Sequence, residues 1–202
     1  MKKIIGQLKP YVPEEPAESV KARLGVDRLV RLSANENPYG TSPKVREAVL
    51  DYVVNNDANL YPDGNASALR AKLANYWTVE ENQLVIGVGL DEVISMVNKT
   101  FINTGDSIVI SVPAFSEYGL NGLVEGAVIR EVPCIEATGQ YDFGAMRKAV
   151  DDTTRIVWIC NPNNPTGTYE SVEDIHKFIG TLPDNVLVII DEAYIDFVTS
   201  VA

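Results

Sequence analysis

From Leu84 onward, short apolar runs alternate with segments whose apolar residues recur every three or four positions. The runs Leu84 to Val88, Ser107 to Val112, Val128 to Val132, Thr154 to Ile159 and Val186 to Ile190 read as strands bounded by turn formers. Helical spacing falls between them, from about Asp91 to Phe101, Phe115 to Glu125, Asp142 to Val150 and Val172 to Ile179. Ser171 and Asp174 stand at the spacing of a capping box ahead of the last. Strand and helix in alternation imply crossovers onto a mostly parallel sheet flanked by helices, an α/β fold. Val186-Leu-Val-Ile-Ile190 has no polar break, which predicts a strand covered on both faces.

Before Leu84 the pattern is less regular. Pro10, Pro13 and Pro16 surround Tyr11, so residues 2–16 read as a short helix and then an extended arm of the kind that crosses onto a partner subunit. Ser19 to Leu24 reads as a helix ended by Gly25, and Arg28 to Leu32 as a short strand entering the amide-rich loop Ser33-Ala-Asn35-Glu-Asn37-Pro-Tyr-Gly40. Ser42 caps a helix with Pro43 at its first position, and Val45, Ala48, Val49 and Tyr52 form the face it is expected to bury. A turn at Asn59-Leu-Tyr61-Pro-Asp-Gly64 precedes a helix from Ala66 to Trp77 with Leu69, Leu73 and Trp77 on one side.

Composition narrows the classes. Of the 202 residues, 46% are apolar and 22% charged, a globular profile. The net charge of −11 argues against a nucleic-acid backbone or an anionic membrane as partner, so any phosphate must be held locally. Cys134 and Cys160 make no disulfide framework, and Pro10 and Pro13 arrive before the Met1-Lys-Lys start can extend into a signal peptide. A cytoplasmic protein is expected.

Candidate chemistry gathers at strand ends. Ligands of open α/β sheets bind beyond the carboxyl ends of strands, where Asp191 of Asp191-Glu-Ala-Tyr194 is placed to meet a bound cation. The turn Gly87-Val-Gly89-Leu-Asp91-Glu92 joins a strand to a helix, and the amides of Gly89, Leu90 and Asp91 can face an anion there. It is no dinucleotide fingerprint, because Glu92 stands at the third glycine. Asn161-Pro-Asn-Asn164-Pro-Thr-Gly167 puts a proline-fixed loop with three amides at the same edge as Asp191. A solvated acid and plain chain reversals are the other readings of these segments taken singly.

Together the set resembles the fold-type I aminotransferases that use pyridoxal 5'-phosphate, and Leu32-Ser-Ala-Asn-Glu-Asn-Pro-Tyr-Gly40 is similar to their histidinol-phosphate branch. The resemblance covers nearly the whole chain. It implies that Asp191 pairs with the pyridinium nitrogen, that Asn164 and Tyr194 bond the ring hydroxyl oxygen, and that Phe115 stacks on the ring. It places the phosphate on Gly89, Leu90 and Asp91, with Tyr61 reaching it from the other subunit of a homodimer. Tyr11, Asn35 and Asn37 fall on the substrate side, and the reaction implied is amino transfer between glutamate and imidazole-acetol phosphate. Residues 1–40 are then an arm with a substrate-side loop, and 41–202 an incomplete cofactor-binding large domain.

Two positions depart from the family pattern. Leu90 stands where a small polar residue is usual, so backbone amides must do more for the phosphate. The family's Schiff-base lysine follows the Asp-x-x-Tyr segment, whereas the last lysine here is Lys177, on a predicted helix. The chain is therefore expected to stop inside its domain and not to transaminate alone. Threonine-phosphate decarboxylase and aromatic aminotransferase share these motifs. A non-catalytic module is a further alternative, and so is a nucleotide hydrolase, because aliphatics followed by Asp-Glu also describe a Walker B strand. No G-x-x-x-x-G-K-[ST] loop accompanies them.

Overall fold

The computed structural model describes residues 3–6, 8, 14–55 and 59–199. The chain forms two compact units, residues 9–84 and residues 1–8 with 85–202.

In the first unit, α1 spans Ala17–Leu24, α2 Pro43–Asn55 and α3 Ser67–Trp77. Pro43 opens α2, as its fixed φ and missing N–H favour. The Asp63 carboxylate accepts from the amides of Ser67 and Asn65 at 2.8 and 3.0 Å, which fixes the turn after Tyr61. Those amides hold the Asp63 carboxyl below its ordinary range. Two expectations fail here. Residues 28–32 form no strand, since a strand needs a ladder partner and this segment is tied by side chains instead. Arg31 donates to the Glu15 carbonyl at 2.7 Å, and Ser33 donates to the Glu14 carboxylate at 2.9 Å. The apolar face of α2 is helical as predicted but not buried: Val45, Val49 and Tyr52 are all more than half exposed.

The second unit holds the sheet: β1 Ser107–Val112, β2 Val128–Pro133, β3 Thr154–Cys160 and β4 Leu187–Asp191. Among the described residues it has four strands in the order β2-β1-β3-β4, all parallel. Four helices alternate with them: α4 Gly89–Phe101, α5 Ser116–Glu125, α6 Phe143–Ala149 and α7 Val172–Ile179. Asp142 and Ser171 cap α6 and α7 by accepting from the amides of Ala145 and Asp174.

The period-two geometry of the strands sorts their side chains into two cores. Ile108, Ile110, Ile156, Trp158 and Cys160 join Ile94 of α4 and Tyr118 of α5 on one face. Val109, Val157 and Ile159 join Met146 of α6 with Ile175 and Phe178 of α7 on the other. Each fully buried aliphatic of this kind contributes about 1.5–3 kcal/mol. Gly122 lets α5 lie on the sheet, because a Cβ there would stand 2.5 Å from Ile108 Cδ1 and 3.1 Å from Ile129 Cδ1.

Two sequence expectations also need correction in the sheet unit. Residues 84–88 form no strand: Val85 and Val88 are exposed, and Val88 turns with ψ 78 into α4. Among the described residues β4 has only β3 beside it, and Ile190 is 38% exposed although its sequence predicted cover on both faces. No helix among the described residues is long and apolar enough to cross a membrane.

Candidate functional site

The parallel register brings Asp191 opposite Cys160 at the carboxyl ends of β4 and β3, where the Asn161 amide donates to the Asp191 carbonyl at 2.8 Å. The Asp191 side chain turns inward and is 7% exposed. One carboxylate oxygen, Oδ1, accepts from the Ala193 amide at 2.9 Å, and the other, Oδ2, accepts from the Tyr118 hydroxyl. Among the described residues no Lys, Arg or His is paired with it. A buried carboxylate held only by neutral donors carries an uncompensated charge, so the pocket suits a cationic partner.

Tyr118 is 1% exposed. Burial, and then the hydrogen bond to Asp191, hold its phenol protonated well above the usual range, so it acts as a neutral donor. Its ring stacks on Trp158 with centroids 4.6 Å apart and planes 10° apart, and meets Phe115 edge-on at 5.6 Å. Phe115 itself is the N-cap residue of α5 and half-buried. Burial also pushes the Cys160 thiol upward, and its sulfur donates to the Pro162 carbonyl at 3.3 Å.

The Asn161–Gly167 loop follows β3, with Asn161–Pro162 and Asn164–Pro165 as cis peptides. Two of its three amides are spent internally. Asn161 exchanges hydrogen bonds with the backbone of Glu170 at 2.8 and 3.0 Å. Asn163 donates to Thr166 Oγ1 at 2.8 Å and to the Pro113 carbonyl at 3.2 Å. The Tyr141 hydroxyl lies 3.0 Å from Asn163 Oδ1 and 2.9 Å from the Cys160 carbonyl, and accepts from the Cys160 amide at 3.0 Å. Asn164 is the member left half-buried, with no such side-chain bond among the described residues.

The Gly87–Asp91 turn differs from its expectation. Gly89 opens α4 at φ 77, a conformation few residues but glycine adopt. Its amide is not available to an anion, because it donates to the Gly87 carbonyl at 3.0 Å. The Val88 amide is likewise taken, by the Glu92 carboxylate. Leu90 and Asp91 lie in the first turn of α4, where amides have no intrahelical partner.

Tyr194 is half-buried, three residues past Asp191. Lys177 sits on α7, paired with Asp174 at 3.1 Å and largely exposed. Asn35, Asn37 and Tyr61 belong to the other unit. There Asn37 bonds its own loop, accepting from the Tyr39 amide at 3.0 Å, Asn35 adopts φ 52, and Tyr61 is fully exposed. Tyr11 lies outside the described residues. Sequence reasoning missed Tyr118, Trp158, Tyr141 and Glu170, and counted Asn163 only as one of the loop's three amides. Only Tyr118 left a signal, standing one helical turn after Phe115 on a segment recognised as a helix.

The aminotransferase class I and II family model matches residues 27–202. The chain is 51% identical over 197 residues to the histidinol-phosphate aminotransferase of Limosilactobacillus fermentum, covering 98% of this chain and 55% of that protein. It is 47% identical over 202 residues to the namesake from Lactiplantibacillus plantarum, covering all of this chain and 56% of that one. It thus spans about half the length of the curated relatives it matches. In fold it is similar to the crystal structure of histidinol-phosphate aminotransferase from Sinorhizobium meliloti in complex with pyridoxal-5'-phosphate. The TM-score is 0.83 at 24% identity, over 97% of this chain and 51% of that one.

Proposed function

The chain belongs to the aminotransferase class I and II family, and we propose that it is the cofactor-holding portion of a pyridoxal-phosphate-dependent transaminase acting between glutamate and imidazole-acetol phosphate in histidine biosynthesis. The observation that carries this reading is the Asp191 carboxylate, buried at a strand end and bonded, among the described residues, only to the neutral donors Tyr118 and Ala193. That donor set fits a protonated pyridine nitrogen, because the missing partner is a cationic N–H at hydrogen-bonding distance. The relatives' name, histidinol-phosphate aminotransferase, supports amino transfer that involves histidinol phosphate.

In this reading Asp191 holds the ring nitrogen protonated, Asn164 and Tyr194 bond the ring hydroxyl oxygen, and Phe115 covers a ring face. The amides of Leu90 and Asp91, beside the Gly89 turn, hold the phosphate at the start of α4. When bound, the cofactor supplies the electron sink that makes a substrate α-proton acidic, while the protein supplies orientation and electrostatics. Tyr61 reaches the phosphate across the two-fold axis of a cytoplasmic homodimer, and Tyr11, Asn35 and Asn37 serve the substrate.

Two measurements test it. Titrating the purified chain with pyridoxal phosphate should show saturable binding, and Asp191→Asn should weaken it by roughly 10- to 100-fold, the worth of a charge-assisted hydrogen bond. Unchanged affinity in that variant removes Asp191 from the site. The substrate assignment is tested by glutamate-dependent amino transfer in the protein carrying this chain. Strong turnover of phenylpyruvate, with none of imidazole-acetol phosphate, moves it to the aromatic branch.

A further inference from the structure

Tyr118 is a buried polar residue that neither the sequence motifs nor the roles assigned above use. We propose that Tyr118 is a positioning residue for Asp191, holding the carboxylate turned so that it offers an oxygen to the ring nitrogen of the cofactor. This rests on the reading of Asp191 as the partner of that nitrogen.

A carboxylate in a buried place needs donors to replace its water. Removing it from water forfeits hydration that must be replaced by donors, or the group takes up a proton. At Asp191 the replacement is minimal: the Ala193 amide on Oδ1 and the Tyr118 hydroxyl on Oδ2. The amide comes from two residues along the chain, and no side-chain substitution removes it. The hydroxyl comes from α5, 73 residues away, and among the described residues is the one donor that packing has brought there.

The phenol is also fixed in direction. Stacking on Trp158 sets the plane of its ring, Phe115 meets it edge-on, and 1% exposure leaves it no room to swing. With both oxygens engaged from fixed directions, the carboxylate cannot rotate about its last bond without losing a donor. Each oxygen keeps a second lone pair for an incoming N–H. A phenol suits this task better than a cation. A lysine or arginine at Tyr118 would neutralise Asp191 and compete with the ring nitrogen for it, whereas a neutral donor supports the charge and leaves it to act elsewhere. Tyr118 and Phe115 lie one turn apart on α5, so a single helix end sets both the stacking ring and the acid's orientation.

The test separates positioning from packing by using two ligands of one shape: pyridoxal phosphate, and its analogue with C–H in place of the ring nitrogen. Only the first can use Asp191. Isothermal titration of the 202-residue chain should show a preference for the nitrogen-containing ring. Tyr118→Phe keeps the ring and its stack on Trp158, and should reduce that preference by about tenfold while leaving the affinity for the analogue nearly unchanged. Equal weakening of both ligands would mean that Tyr118 only fills space, and would overturn the proposal. An unchanged preference in Tyr118→Phe would overturn it as well. No preference in the unmodified chain would instead remove Asp191 from the ring nitrogen, and the proposed function would fail first. Should Tyr118→Phe not fold, proton NMR of the unmodified chain decides. A slowly exchanging hydroxyl resonance, absent from a chain made with Asp191→Asn and moved by pyridoxal phosphate but not by the analogue, supports the proposal. A resonance unmoved by either ligand overturns it.

Discussion

The Asn161–Gly167 loop and the Gly87–Asp91 turn are both short, rich in turn formers and adjacent to a strand or helix end, yet they are held by opposite means. The first is built on partners outside it: the Tyr141 hydroxyl, the Glu170 backbone and the Pro113 carbonyl meet its asparagines. The second is held by itself, with the Gly89 amide on Gly87 and the Val88 amide on Glu92, and it lies exposed. A loop fixed from outside can present one group, Asn164, with its neighbours already satisfied. A self-held turn keeps only the amides that its own geometry has not consumed.

The difference should appear most strongly when Tyr141 is changed. Tyr141→Phe keeps the ring but removes the acceptor of the buried Cys160 amide and the donor facing Asn163. Leaving such groups unpaired costs about 1–3 kcal/mol. A chain of this size should lose roughly 4–8 °C in Tm for about 2 kcal/mol. Hydrogen exchange should quicken over 161–167 and not over 87–91. Equal protection in both segments would erase the contrast between an externally fixed loop and a self-held turn.

A smaller effect is expected from Gly89→Ala. A Cβ at Gly89 meets nothing within 4 Å, so the cost is the φ of 77 alone, about 1–2 kcal/mol for a residue forced into the left-handed region. Gly89→Asn should recover part of it, since Asn tolerates that region. Denaturant midpoints of the two variants check this. An alanine variant as stable as the parent would show that the turn relaxes to negative φ.

This contrast also explains what the sequence disclosed. Helical and strand periods marked β1 to β4 and α4 to α7 within a few residues, because each element's partners repeat along its own length. Asp191, Asn164 and the Gly89 turn were visible because strand ends and turn formers are local signals. Tyr118 and Tyr141 were not, because their meaning lies in partners 73 and 19 residues away, and one tyrosine on an apolar face reads as core. The same limit produced the errors. Val45, Val49 and Tyr52 keep helical spacing without being buried, and residues 28–32 and 84–88 have strand-like composition without a ladder to join. Periodicity reports what a segment can bury, and the fold decides whether anything covers it.

The smallest effect expected is a pH dependence that belongs only to the externally fixed loop. Glu170 is buried, and its carboxylate accepts the Tyr141 amide at 2.8 Å. Burial raises its carboxyl above the ordinary 4.5, against the lowering effect of the Tyr141 amide and with a further push from the nearby Asp174 charge. A raised folded value means that the folded chain holds this proton more tightly than the unfolded one does. Its contribution to stability is therefore complete below 4.5 and is lost as pH rises through the folded value. Glu170→Gln keeps an oxygen for the Tyr141 amide and has no charge to desolvate. The variant and the parent should match in urea midpoint in acid, and the variant should draw ahead as the pH is raised through the folded value of Glu170. Parallel midpoints across that range would mean that Glu170 ionises without cost, and that the loop owes its order to Tyr141 and its own asparagines alone.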